Sequence, residues 1–361
     1  MLRYGILISL IFCLIIGYCF NASVIKISSE DDAFVAQTDT WTYITIKGAR
    51  CANGSNLPVA VNLGKEAKRI VLYFQGGGAC WDAETCFISK RASRIEESYD
   101  KSFLLRKAQG LDNYLFSRVP TIGPFSNASF VYIPYCTGDF HAGTQVRVYE
   151  TAKGPRTVHH VGELNTALIL KRIYATIPTP ERVYVVGVSA GGYGATLNSP
   201  AIRATWPGVR VDIVNDSGVP IDPSPERWTA MRRAWGLQIP NGCTACEDHL
   251  SQFLPFYSTS IEGKYRFALL SFASDSVIAS YLDLSPTKFS SEYTALLQKM
   301  DTNAHQQAFT MPGDRHMLLV RDTKEMRSNN VYIREWMQRF VNDDPNWSTV
   351  GPLRPASLTT E

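Results

Sequence analysis

Apolar residues in this chain gather in short runs, and the polar stretches between them carry apolar residues at helical spacing. Val183 to Val188 is the clearest run, rich in β-branched residues, and it predicts a strand buried on both faces. Arg69 to Phe74, Phe130 to Pro134, Val209 to Val214 and Arg266 to Phe272 read the same way, and Trp41 to Ile46 alternates like a half-buried strand. A last short strand is predicted near Ala308 to Met311. Helical spacing runs from His159 and His160 through Val161, Leu164, Leu168, Ile169 and Ile173, and again over Ala190 to Thr205, Thr287 to Met300 and Val331 to Val341. Strands alternating with helices predict an α/β fold with a mostly parallel central sheet flanked by helices. Pro220 to Asn241, rich in Pro and Trp, reads as a loop insertion forming a cap.

The turn after the central run reads Gly187-Val188-Ser189-Ala190-Gly191, a G-x-S-x-G between a strand and a helix. Small residues on either side allow a tight turn that exposes the serine, and the helix behind it aims N–H groups at the same point. A serine needs a histidine to accept its proton and a carboxylate to orient the histidine. In α/β-hydrolases these occur in the order Ser, acid, His, each after a strand. Ser189, Asp275 and His316 satisfy both conditions. Asp216 is the rival acid, since it too follows a strand; His305 is the rival base but precedes one. Gln75-Gly76-Gly77-Gly78 closes an earlier strand and matches an HGGG-like loop that donates N–H groups to an oxyanion, with a plain tight turn as the alternative. Asp139 and His141 follow another strand and are candidate pocket residues, against the slightly favoured reading that each is a loop residue with internal partners.

Composition places this chemistry outside the cell. Met1-Leu2-Arg3 and the uncharged run Ile6 to Phe20 have the form of a secretory signal, so residues 1–22 are expected to be removed, with no membrane span in the mature chain. Residues 23–344 then form a single catalytic domain, and 345–361 a loosely ordered tail. Net charge is +3, or +2 without Arg3 (35 basic against 33 acidic residues), which does not suggest nucleic acid. Once Cys13 and Cys19 leave with the signal, Cys51, Cys80, Cys86, Cys136, Cys243 and Cys246 remain. An even number in an oxidising compartment predicts disulfides, although six cysteines allow about fifteen pairings. Cys243-x-x-Cys246-x-x-His249 is the alternative metal reading; no fourth ligand is evident, and no metal or other cofactor is expected.

In separated motifs from about Trp41 to Phe340 the chain resembles the pectin acetylesterases, whose animal branch is the Notum carboxylesterases. The motifs are LYFQGGGACW, YIPYCTGDFHAG, VVGVSAGGYGA, VNDSGVP, SFASDSVI and GDRHMLL. The resemblance implies a secreted, monomeric serine esterase of the α/β-hydrolase fold, acting on an acylated polysaccharide or another acyl ester. It places the nucleophile on Ser189, the acid on Asp275, the base on His316 and the oxyanion donors on Gly77, Gly78 and Ala190. It also implies the pairs Cys80–Cys86, Cys51–Cys136 and Cys243–Cys246. Two positions depart from the pattern: Gln75 replaces a glutamate, and the loop tryptophan is displaced to Trp81. Gly78 and Ala79 thus leave room beside the nucleophile, which Phe140, Tyr193 and Trp228 are expected to close, with Asp216 also in the pocket.

Overall fold

A computed structural model describes residues 33–66, 68–259, 265–301 and 303–351. The expected signal, 1–22, lies outside the described residues, as does the tail beyond 351. Eight strands form the central sheet: β1 (Thr42–Arg50), β2 (Asn56–Asn62), β3 (Arg69–Phe74), β4 (Ser129–Ile133), β7 (Arg182–Val188), β8 (Arg210–Asp216), β9 (Phe267–Phe272) and β10 (Gln306–Met311), in the order β1-β2-β4-β3-β7-β8-β9-β10. A separate hairpin pairs β5 (Gln145–Tyr149) with β6 (Arg156–His160). Pairing from β4 to β10 is parallel, whereas β1–β2 and β2–β4 are antiparallel. Every residue of β4, β7 and β9 is buried, as a parallel sheet covered on both faces requires. This is the α/β-hydrolase arrangement expected from the sequence, with parallel strands delivering their carboxyl ends to one edge.

The helices cover the sheet: α1 (Lys101–Gln109), α2 (Gly162–Thr176), α3 (Ala190–Leu197), α4 (Ser199–Thr205), α5 (Pro225–Trp235), α6 (Phe253–Thr259), α7 (Ser276–Leu282), α8 (Pro286–Asp301) and α9 (Ile333–Val341). The helix expected over Ala190 to Thr205 is two helices, because Pro200 supplies no N–H and its ring opposes the carbonyl one turn earlier. His159 and His160 do not open a helix; they end β6, and α2 begins two residues later. The tail expected to be loose from residue 345 is packed as far as it is described. Trp347 is buried against Trp336 and Phe340, and Val350 bridges Phe309 beside β10. The apolar face of α9 needs that cover, and three aromatic rings outweigh the Pro and Thr content of the segment.

Three disulfides pair Cys51 with Cys136, Cys80 with Cys86 and Cys243 with Cys246. His249, the third residue of the possible metal motif, instead pairs its Nδ1 with Asp222 Oδ2 at 2.9 Å. No helix among the described residues is long and apolar enough to cross a membrane.

Candidate active site

Ser189 sits where β7 turns into α3, with φ +54° and ψ −124°. A Cβ on Gly187 would lie 1.9 Å from the Gly191 carbonyl oxygen, and one on Gly191 would lie 1.9 Å from that of Phe74. Both glycines are therefore needed for the backbone to pass so closely, and the strained turn presents the hydroxyl at the sheet edge. Asp275 begins α7 and His316 follows β10.

These loops bring the three side chains into line. His316 Nδ1 lies 2.8 Å from Asp275 Oδ2, and His316 Nε2 lies 2.8 Å from Ser189 Oγ. A carboxylate only accepts, so Nδ1 carries the proton and Nε2 is left to accept from the serine. Asp275 is fully buried, and its other oxygen accepts the Val277 and Ile278 N–H groups at 3.1 and 3.0 Å. The helix N-terminus thus holds the carboxylate in a fixed orientation.

Asp216 has a different set of partners. It accepts the N–H groups of Leu318 and Leu319, at 2.9 and 2.7 Å to Oδ2, and the Ser217 hydroxyl at 3.1 Å to Oδ1. It therefore anchors the loop just beyond His316 rather than touching the ring nitrogens. Burial pushes its carboxyl up to about 6, partly offset by those N–H groups. His305 precedes β10 at the opposite edge of the sheet and stacks on Tyr265.

The glycine loop is held from outside. Ser93 N–H donates to the Gly77 carbonyl at 2.7 Å, Ala79 N–H to the Arg91 carbonyl at 3.2 Å and Cys80 N–H to the Gly138 carbonyl at 2.9 Å. Among the described residues, the N–H groups of Gly77, Gly78 and Ala190 donate to nothing. Gly77 and Gly78 border the cavity that contains Ser189, and Ala190 directly follows that serine, a geometry suited to an oxyanion. Gly78 has φ +76°, and a Cβ there would lie 2.3 Å from the Tyr281 hydroxyl oxygen.

That cavity has a volume of about 590 Å³. Besides the glycine loop, Ser189 and His316, its walls include Tyr73, Tyr132, Leu111, Val277, Tyr281 and Val320, with Arg106 and Lys107 at the end of α1. Of the residues expected to line a pocket, Asp139, Phe140, His141, Tyr193, Asp216 and Trp228 do not. They are buried behind it, each with an internal partner. Phe140 stacks on Tyr193 at 4.3 Å, Tyr193 donates to the Val219 carbonyl, and Trp228 donates to that of Glu247. Asp139 accepts from Thr137 and the N–H groups of His141, Gly143 and Gly162. His141 Nε2 donates to the Gln75 carbonyl at 2.9 Å, and burial lowers its imidazole to about 4, keeping it neutral. His141 thereby buttresses the glycine loop, and Tyr281 fills the room beside Gly78.

Tyr73 and Tyr132 escaped the sequence reading, although Tyr73 lies two residues before Gln75 and so on the same strand face. The wall from α1 was missed as well, despite Asp100 as its N-cap and Gly110 at its end.

Residues 33–261 match the family model described as Pectinacetylesterase. Among curated relatives, palmitoleoyl-protein carboxylesterase notum1' of Xenopus laevis is 26% identical over 179 residues, 48% of this chain and 35% of the relative. Palmitoleoyl-protein carboxylesterase NOTUM of Drosophila melanogaster is 28% identical over 219 residues, 54% of this chain and 31% of the relative. The chain thus spans about a third of the length of these relatives. The solved structure of the Wnt deacylase Notum from Drosophila superimposes with a TM-score of 0.65 at 17% identity, over 89% of this chain and 97% of that one, a likeness of fold. With the family model matched over more than half its length, this chain belongs to the pectinacetylesterase family.

Proposed function

We propose that this chain is a secreted serine carboxylesterase that removes acetyl groups from an extracellular polysaccharide. The hydrogen-bonded line from Asp275 through His316 to Ser189 carries this reading. In the proposed reaction Ser189 Oγ attacks the ester carbonyl while His316 Nε2 takes its proton. Negative charge gathers on the carbonyl oxygen against the N–H groups of Gly77, Gly78 and Ala190. His316 returns the proton to the departing alcohol, leaving an acyl group on Ser189. Water, deprotonated by the same nitrogen, then releases the acid and regenerates the serine. Asp275 keeps the histidine in the required tautomer and stabilises its charged form. The apolar N-terminal run and three disulfides support secretion. The family description supports acetate as the acyl group, and Tyr281 beside Gly78 narrows the space next to the nucleophile.

A second reading, removal of a long acyl chain from a secreted protein, draws on the activity in the relatives' names and on Leu111, Val277, Met317 and Val320 in the cavity wall. Purified protein assayed on p-nitrophenyl esters of increasing chain length, beside acetylated pectin and xylan, separates the two. Acetate and butyrate esters are expected to be cleaved much faster than those of fourteen or sixteen carbons. A kcat/KM that climbs with chain length beyond octanoate, with no acetate released from either polysaccharide, would replace the first reading by the second.

A further inference from the structure

Three hydrogen-bond donors in the cavity take no part in the reaction just described. Tyr73 and Tyr132 are partners in the β3–β4 ladder, so their side chains leave the sheet on the same face, with ring centroids 5.1 Å apart. They are only 2% and 3% exposed, both line the cavity, and neither hydroxyl bonds to any described group. Gln75 follows Tyr73 on that face. Its Oε1 accepts from the Tyr135 N–H at 3.1 Å and the Tyr99 hydroxyl at 2.7 Å. Since a backbone N–H can only donate, the amide is fixed with its Nε2 turned away from both, and Nε2 meets no described acceptor. Burial holds both phenols far above the ordinary tyrosine range, with the Asp216 carboxylate adding to the effect at Tyr73, so they remain protonated donors.

These donors face the open cavity, where water can reach them; an alkyl group laid against them would displace that water and leave them unpaired, which is costly. A ligand with acceptor oxygens at the same positions would remove that cost. Sites of this kind reject the analogue lacking the polar atom more strongly than apolar pockets reject a surplus methylene.

We infer that Tyr73, Tyr132 and Gln75 form a donor wall that selects esters carrying further acceptor oxygens, such as ether, hydroxyl or ester oxygens, over alkyl esters of the same shape. This specificity rests on the serine esterase reading. The oxygen can belong to the acyl group or to the alcohol, and the experiment has one arm for each. In the acyl arm, p-nitrophenyl 3-methoxypropanoate is compared with p-nitrophenyl pentanoate. In the alcohol arm, 2-methoxyethyl acetate is compared with butyl acetate. Each kcat/KM is divided by the rate of hydroxide hydrolysis of the same ester, which removes the inductive effect of the oxygen. The oxygenated partner is expected to be favoured about tenfold in at least one arm. Tyr73→Phe and Tyr132→Phe keep the rings and are expected to bring that ratio toward one, a change that a loss of packing would not produce. A ratio near one in both arms, or one that both variants leave intact, overturns the inference. Calorimetric titration of the Ser189→Ala protein with triacetin reads the wall without turnover. Binding there that is lost in the Tyr73→Phe/Tyr132→Phe background supports the wall even if no ester is hydrolysed, in which case only the serine esterase reading fails. No binding in either protein, beside a flat ratio, rejects the wall itself.

Discussion

The two edges of the central sheet use polar residues in opposite ways. At the amino edge, Asp212 of β8 is fully buried, and Arg182 of β7 bonds it at 2.5 Å while Arg210 does so at 3.0 Å. The Arg266 N–H reaches it at 2.6 Å, and Asp343 ties the same two guanidiniums together from the end of α9. These groups are spent on one another. At the carboxyl edge the N–H groups of Gly77, Gly78 and Ala190 and the hydroxyls of Tyr73 and Tyr132 are unspent, and Ser189, Ser217 and Met317 all have positive φ. Unspent hydrogen-bonding capacity beside a strained backbone is expensive, and the rest of the fold must sustain it. The amino edge is accordingly where substitution should reduce stability, and the carboxyl edge where it should reduce rate.

Removing the proposed nucleophile gives the sharpest test of that division. Ser189→Ala is expected to lower kcat by about 10⁶ while relieving the φ +54° strain little, so that the urea midpoint is nearly unchanged. A phosphonate probe should label Ser189 in the parent protein and nothing in the variant; retained activity, or a label elsewhere, would end the serine mechanism. Next in size is the contrast between the two acids. Asp275→Asn is expected to cost about 10⁴ in kcat, because the wrong tautomer of His316 is then favoured. Asp216→Asn is the exception at the carboxyl edge, because this carboxylate is fully bonded inside the protein: the change disturbs the anchor of Leu318 and Leu319, with a smaller loss of rate and a larger one of stability. The reverse ranking would exchange their roles.

The same division explains how much of this molecule could be read in advance. Long apolar runs are governed by burial alone, so Arg69–Phe74 matches its expected strand at both ends. β2 was missed because Pro58 interrupts its ladder where the pairing with β1 shifts register, and a proline argues against a strand. Ser189, Asp275 and His316 were legible as candidates because each follows an apolar run, and the structure brings their side chains within hydrogen-bond reach of one another. The pocket was not. Asp139, Phe140, His141, Tyr193 and Trp228 have residue types suited to binding, but whether a polar side chain faces a cavity or a carbonyl depends on contacts far apart in sequence, such as His141 with the Gln75 carbonyl. Tyr73, inside an apolar run, gave the opposite impression and faces the cavity.

At the amino edge the expected effect is thermodynamic. Asp212→Asn leaves Arg182 and Arg210 close together with only Asp343 to balance them, and removing one member of a buried ion pair typically costs about 3–5 kcal/mol. Urea unfolding should show that loss, while kcat measured well below the melting range stays at the parent value. A fall in kcat without a fall in stability would mean that the two edges are coupled through β8.

The smallest expected effect concerns a group behind the glycine loop. His160 is fully buried, with Nδ1 donating to the Thr137 carbonyl at 2.8 Å and Nε2 accepting from the Tyr149 hydroxyl at 2.9 Å. Burial lowers its imidazole from 6.5 to about 4, the charges of Arg147 and His159 adding to the effect and the Thr137 bond opposing it. The unfolded chain therefore binds a proton at this residue below about pH 6.5 that the folded chain refuses until about pH 4. This group therefore costs nothing at pH 7, and between pH 7 and pH 5 it removes about 2 kcal/mol of stability. Asp139, pushed up to about 6 by burial, acts oppositely, losing its contribution as pH rises through that value. The two partly offset one another in the parent, so the difference between parent and variant is the quantity to measure. His160→Gln is expected to be destabilising at pH 7 through the lost hydrogen bonds, and its deficit relative to the parent should shrink by about 2 kcal/mol at pH 5. A deficit equal at both pH values would mean that His160 is protonated inside the fold, and that the support of the glycine loop is charged rather than neutral.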